Sequence, residues 1–169
     1  MIKNIKTKEN EDIFINYFRW KELNQAIREH YTRGVNLHEY ITENLCCILN
    51  GYILHAAEGG SEDAVDDKGN KIQIKGTSNF DDDLTSFGPT SEFDILEFVR
   101  LDQKEDKFYF YKIDINYLKN IYVNAKETFL MKQKTGQRPR FSIIKKIIVP
   151  KGLKPYAEID MKTGVAEYY

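Results

Sequence analysis

The sequence predicts an α+β domain, in the broad α/β class, with a mixed β-sheet core flanked by helices. Three observations carry this. Apolar residues recur at helical spacing over residues 11–50, alternate with the period of strands over 61–113, and mix both patterns over 115–169. Helices first and a strand-rich centre afterwards imply helices packed on a sheet rather than a regular βαβ series. At 169 residues and 41% hydrophobic content, 1–169 reads as one domain with a real core.

The first helix spans residues 11–31. Ile13, Phe14, Tyr17, Phe18, Leu23, Ile27 and Tyr31 form its stripe, Asn10 is placed to cap it, and Gly34 follows its end. Trp20 lies off the stripe, which suits a dimer contact and packing within the chain equally. A second helix spans 36–50, where Asn36 and Glu39 have capping-box spacing and Gly51 sits at the C′ position. Leu37, Tyr40, Ile41, Leu45, Ile48 and Leu49 are its buried stripe. His38 and His55 have no partner at metal-ligand spacing and read as structural or exposed. Residues 52–57 form a short strand or helix extension, and Glu58-Gly59-Gly60 leads into a hairpin over 61–78. A polar loop follows, with Asp81-Asp82-Asp83 read as a solvated turn ahead of a second metal site. Residues 93–101 and 107–113 alternate as a strand pair around a polar turn. Short helices over 115–122 and 125–134 come next. The Ile-rich residues 141–149 read as a strand with Lys145 and Lys146 facing out, and 156–169 as a last strand pair.

The net charge of −1 hides a strong asymmetry. Residues 58–106 carry five Lys/Arg against fourteen Asp/Glu; residues 107–155 carry twelve against two. An acidic centre followed by a basic quarter suits a metal site flanked by a phosphate-binding surface, although the two regions could also simply neutralise each other. Cys46 and Cys47 are adjacent, lie in a helical pattern and have no metal-binding spacing, so they read as buried thiols of a reducing cytoplasm. No stretch reads as a signal peptide or as a membrane span, and a cytoplasmic protein without a membrane partner is expected.

The stretch S-E-D-A-V-D-D-K-G-N-K-I-Q-I-K-G-T-S, residues 61–78, carries the chemistry. Asp67-Lys68-Gly69 is turn sequence, and closing the hairpin there pairs Val65 with Lys71, Ala64 with Ile72 and Asp63 with Gln73. Ile72 and Ile74 then take one face, and Asp63, Gln73 and Lys75 cluster on the other. Hydrolysis of a phosphodiester requires a cation on the phosphate, positive charge near its oxygens and a rigid frame. Asp63 offers a hard anionic ligand for Mg²⁺, Gln73 an amide oxygen, the Ile74 carbonyl a third donor, and Lys75 the positive charge. Glu58 and Glu62 are candidates for a helper carboxylate; Asp66, three past Asp63, points to the other face. Thr77, Ser78, Asn79 and Ser86 suit contacts to phosphate or base edges. So do Lys134, Arg138, Arg140 and Ser142 in a basic segment over 126–150, where arginine suits guanine in the major groove.

The run D-A-V-D-x-x-G-x-x-x-Q-x-K resembles the PD-(D/E)xK nuclease signature, and most closely PvuII-type restriction endonucleases. K-G-T-S at 75–78 and S-F-G-P at 86–89 are similar to the small LlaDII-like enzymes. The resemblance covers roughly the central half of the chain. It departs at Gln73, where the signature has an acid, making this a Q-x-K variant. The resemblance implies a restriction-endonuclease-like fold, with helices over 11–50 for packing and dimerisation and a catalytic core over 52–113. It implies Asp63 as metal-binding carboxylate, Lys75 as catalytic lysine, and a site of the GCNGC kind.

The reading that follows is a homodimeric type II restriction endonuclease. It cuts double-stranded DNA at a short palindrome using Mg²⁺, with Mn²⁺ as a substitute, leaves 5′-phosphate ends, and works beside a cognate DNA methyltransferase. Two other readings stay open: a structure-specific or repair nuclease of the same fold, and a DNA-binding module whose site has decayed.

Overall fold

The computed structural model describes residues 1–55 and 61–169. Helix α1 is Glu11–Arg28 and α2 is Glu39–Asn50. An eight-stranded mixed sheet forms the centre, built from β1 (Ile2–Asn4), β2 (Ile53–Leu54), β3 (Ala64–Val65), β4 (Lys71–Thr77), β6 (Ile95–Asp102), β7 (Lys107–Ile113), β9 (Ala157–Asp160) and β10 (Val165–Tyr168). Its order is β1-β10-β9-β7-β6-β4-β3-β2, and among the described residues only β4 and β6 run parallel. A second, two-stranded sheet pairs β5 (Thr85–Ser86) with β8 (Arg140–Phe141). This is the mixed α+β architecture expected from the sequence, consistent with a restriction-endonuclease-like fold.

Both faces of the large sheet are covered. On one, Ile72, Ile74, Val99 and Leu101 pack with Ile13, Phe14 and Tyr17 of α1 and Ile41 and Leu45 of α2. On the other, Leu96, Phe98 and Tyr111 pack with Leu118 of α3 (Ile115–Asn120), Phe129 of α4 (Phe129–Lys134) and the isoleucines after β8. The alternation along β6 sends successive side chains to the two clusters, as strand geometry requires.

Several elements differ from the sequence expectation. Helix α1 ends at Arg28, and Asn10 stands at its N-cap position without a side-chain capping bond. Its Oδ1 accepts instead from the N–H and hydroxyl of Thr7 (2.9 and 2.6 Å), folding the turn before the helix. The inner face of α1 is Ile13, Tyr17, Trp20 and Asn24, so Leu23 is exposed. Trp20 packs within the chain, and its indole N–H donates to Val35 O (2.9 Å). Helix α2 starts later than expected. His38 is its cap, with Nδ1 accepting from Tyr40 N (3.1 Å), which displaces the Asn36/Glu39 capping box. Gly51 does take the left-handed conformation at the helix end.

The largest departure is residues 141–149. Strand β8 stops at Phe141, and the isoleucine run forms a π-helical turn, Ile144–Ile148, continuing into α5 (Val149–Lys151). The cause is Asp83. Its carboxylate accepts from Ser142 Oγ (2.7 Å) and from the N–H groups of Ile143 and Ile144 (both 2.9 Å), satisfying donors that a helix start leaves free. Lys145 pairs with Asp82 (2.8 Å). The aspartate run is therefore a fastening point. Among the described residues, no three His, Cys, Asp or Glu side chains are grouped to hold a metal by themselves, and no helix is long and apolar enough to cross a membrane.

Candidate active site

The hairpin forms in the register read from the sequence: Ala64 pairs with Ile72 and Val65 with Lys71. Gly69 has φ +81°, and Asp66 fastens the turn. Its Oδ1 accepts from Lys68 N (3.0 Å) and Asn70 N (2.8 Å), and its Oδ2 from Asn70 Nδ2 (2.7 Å). These bonds hold the Asp66 carboxyl below its usual range.

Strand β3 has two residues where β4 has seven, so β4 runs on past its partner. The gap is filled by a side chain. Asp63 Oδ2 accepts from Ile74 N (2.6 Å) and from Gln73 Nε2 (2.5 Å). In a strand, the N–H and C=O of one residue point to the same edge, so the Ile74 carbonyl also faces the Asp63 side. Gln73 is buried and presents its amide nitrogen to Asp63. Turning that amide over would set its oxygen against a carboxylate. Burial pushes the Asp63 carboxyl up, opposed by the Ile74 N–H, the Lys75 ammonium and the Gln73 amide.

Asp63 and Ile74 line a pocket of about 280 Å³ with Lys75, Gly76, Thr77 and Ser78 from β4 and its continuation, and Gln73 reaches it through its bond to Asp63. The wall opposite is α2, which contributes Glu39, Thr42 and Glu43. Burial raises the Glu43 carboxyl to about 7, and the charges of Asp63 and Glu39 add to the effect while Lys75 opposes it. Three carboxylates, of Asp63, Glu39 and Glu43, therefore line a small polar pocket with one lysine. Gly76 makes the close approach of α2 possible, because a Cβ there would stand 2.9 Å from Thr42 Cγ2.

The sequence reading located Asp63, Gln73 and Lys75, and the structure brings them together. It missed Glu43 and Glu39. Their signal was an E-x-x-x-E spacing on the polar side of the helix before the hairpin, which puts both on one face one turn apart. Of the two helper candidates, Glu62 lies against His55 (Oε1 to Nδ1, 3.4 Å). Glu58 lies outside the described residues.

The residues expected to touch DNA fall into three places. Thr77 and Ser78 line the pocket. Thr77 Oγ1 donates to Asp82 O (3.0 Å) and accepts from the N–H of the exposed Asn79 (3.1 Å). Ser86 and Arg140 are cross-strand partners in the small sheet, and Phe87 beside them lies under Lys75, whose Nζ is 5.8 Å from the ring centroid. That sheet therefore adjoins the pocket. Lys134 ends α4 and Arg138 lies on the turn between α4 and β8, both exposed. Ser142 is engaged in the Asp83 fastening, accepting also from Lys145 N (3.1 Å).

With this geometry in place, the comparisons with known proteins are specific. A family model described as Bsp6I restriction endonuclease matches residues 5–150. The chain is 44% identical over 156 residues to the type II restriction enzyme Bsp6I of Bacillus sp. (strain RFL6), covering 90% of this chain and 88% of the relative. The match takes in the hairpin, α2 with Glu43, the small sheet and the basic segment. This chain belongs to the Bsp6I family of restriction endonucleases.

Proposed function

We propose that this protein is a Mg²⁺-dependent type II restriction endonuclease, a Q-x-K variant of the PD-(D/E)xK group. It cuts double-stranded DNA at a short GCNGC-like palindrome as a homodimer, one site per strand. The observation that carries this reading is the convergence of Asp63, Lys75 and Glu43 in one pocket, with Gln73 bonded to Asp63, in a chain of a restriction endonuclease family.

The donor chemistry fits the metal. Asp63, Glu43 and the Ile74 carbonyl are hard oxygen donors of the kind Mg²⁺ takes, and two carboxylates of raised pKa gain from a cation between them. Gln73 orients the Asp63 carboxylate, and Glu43 restores the negative charge that an acid at position 73 would have brought. When bound, Mg²⁺ (or Mn²⁺ as a substitute) would polarise the phosphate and assist attack by water.

Lys75 offsets charge growing on the phosphate oxygens, and its ammonium lies over the Phe87 ring. The water oxygen bonds to phosphorus as the bond to the 3′ oxygen breaks, which leaves a 5′-phosphate and a 3′-hydroxyl. Thr77, Ser78 and Asn79 follow the lysine along the strand being cut. Ser86 and Arg140, with Lys134 and Arg138 nearby in sequence, approach the duplex from the small sheet, and an arginine there suits guanine. A cognate methyltransferase would protect the host's own sites in the cytoplasm.

Incubation of plasmid DNA with the protein and Mg²⁺ tests this. Discrete fragments with a common end sequence are expected, and Lys75→Ala should produce none. Equal inertness of wild type and Lys75→Ala with either metal would sink the catalytic assignment. Cutting confined to branched or damaged DNA would replace the restriction reading.

A further inference from the structure

We infer that a groove between the end of α1, the loop after it and the turn after β6 binds the sugar-phosphate backbone of DNA beside the cleavage pocket. The proposal rests on reading that pocket as a nuclease site. The groove has a volume of about 860 Å³ and adjoins the pocket at Ser78, which lines both. Its walls carry Arg28, Arg33 and Lys104, and among the described residues none of the three forms an ion pair. Two carboxylates share the groove. Asp102 is folded into its own turn, its Oδ1 accepting from the N–H groups of Lys104 (2.9 Å) and Glu105 (3.2 Å), and with Asp81 it stands against three cations, so the groove keeps a positive excess.

The walls are joined by a chain of polar contacts. Asn24 is buried, and its Oδ1 accepts from Val35 N (2.9 Å). Its Nδ2 donates to Gln103 Oε1 (3.4 Å), and Gln103 Nε2 donates to Ser78 O (2.5 Å). Trp20 holds the same Val35 from its carbonyl side. Gly34 lets the loop lie on α1, because a Cβ there would stand 1.9 Å from Asn24 Oδ1. The loop that carries Arg33 is thus tied to the residue three past Lys75. The cleavage pocket is itself rich in carboxylates and repels a phosphate backbone. Guanidinium groups carried by α1 and by that tied loop supply the opposing attraction, and their planar donors match phosphate oxygens.

The test is binding of a short synthetic duplex by the full-length protein, followed by fluorescence anisotropy with Ca²⁺ in place of Mg²⁺ at about 50 to 200 mM salt. Arg33→Ala should lower the slope of log affinity against log salt by about 1, and Arg28→Ala with Arg33→Ala by about 2. The loss should be equal on duplexes of unrelated sequence, and Arg33→Lys should retain most of the slope. Arg28 packs close to Gly34, so circular dichroism must first show the double variant folded; the single Arg33 variants decide the matter if it is not. An unchanged slope in a folded variant would overturn the proposal, as would a loss confined to one sequence, which marks a base reader. The two readings fail separately. Unchanged slopes in a protein that cuts DNA remove the groove, whereas altered slopes in a wild-type background that never cuts remove the nuclease.

Discussion

Replacing Glu43 by glutamine takes one carboxylate from the pocket and nearly keeps its shape, and it should stabilise the protein at about pH 8. Burial raises the Glu43 carboxyl from 4.5 to about 7, helped by Asp63 and Glu39. A raised acid binds more protons in the native state than in the unfolded one, so stability falls as pH rises from 4.5 to about 7 and stays reduced above it. The full shift corresponds to about 3 kcal/mol. Glu43 is only half-buried, and solvent screening reduces this to about 1–2 kcal/mol. For a chain of this size that is a rise of about 3–6 °C in melting temperature. Thermal unfolding followed by circular dichroism measures it, and the difference between variant and wild type should shrink toward zero near pH 4.5. Adding Mg²⁺ at about pH 8 should raise the melting temperature of wild type more than that of Glu43→Gln, because the cation relieves the carboxylate that the variant lacks. An equal or lower melting temperature for Glu43→Gln at about pH 8 would refute the crowding of carboxylates. Equal Mg²⁺ effects on both proteins would remove Glu43 from the metal site.

Three further outcomes follow. Asp63→Asn should abolish plasmid cleavage while leaving duplex binding in Ca²⁺ near wild type; loss of the folded state in circular dichroism would mark Asp63 as a structural carboxylate only. Gly76→Ala should destabilise by about 1–3 kcal/mol in urea unfolding, because its Cβ meets Thr42 Cγ2; Thr42→Ser, which removes that methyl, should recover much of the loss. Asp106 is buried, with φ +59°, and holds Tyr17 Oη (2.7 Å), Lys21 and Lys162 (3.2 Å). Burial opposes its ionisation, but the hydrogen bonds from Lys21, Tyr17 and Lys162 outweigh this and hold its carboxyl below the usual range. Asp106→Ala should therefore cost about 3 kcal/mol at neutral pH. Its effect should fade as pH falls through the depressed native value, and a difference independent of pH would contradict the assignment.

What the sequence made legible was local. The hairpin register follows from the turn Asp67-Lys68-Gly69 and from alternation, both contained in a dozen residues, and with the register came Asp63, Gln73 and Lys75. Strand β7 and the final strand pair were readable for the same reason. What the sequence hid depended on partners far along the chain. Asp83 turns a β-branched run into a helix from about sixty positions away, and no local pattern contains that carboxylate. Asn24 was passed over on α1 because it is polar, yet it is buried as a tie between two loops, and its presence shifts the inner face away from Leu23. Glu43 looked like one more solvated helix position until β4 placed Asp63 opposite it.

The short turn at Asp66–Asn70 has a consequence for how this protein tolerates change. Lys68 and Gly69 are exposed and touch little, so exchanging the side chain at 68 should matter little. Their number matters a great deal. Asp66 spans the loop with three hydrogen bonds that fit one loop length, and that length sets which residue of β4 lies beside Asp63. One inserted residue that slid β3 along β4 would present the carboxylate to a neighbour of Ile74 and carry Lys75 out of line. The pairings of β6 with β7, β9 with β10 and β1 with β10 lie elsewhere in the sheet and would persist. The turn works as the gauge block of the proposed catalytic pocket: the protein would still fold, and would have lost its alignment.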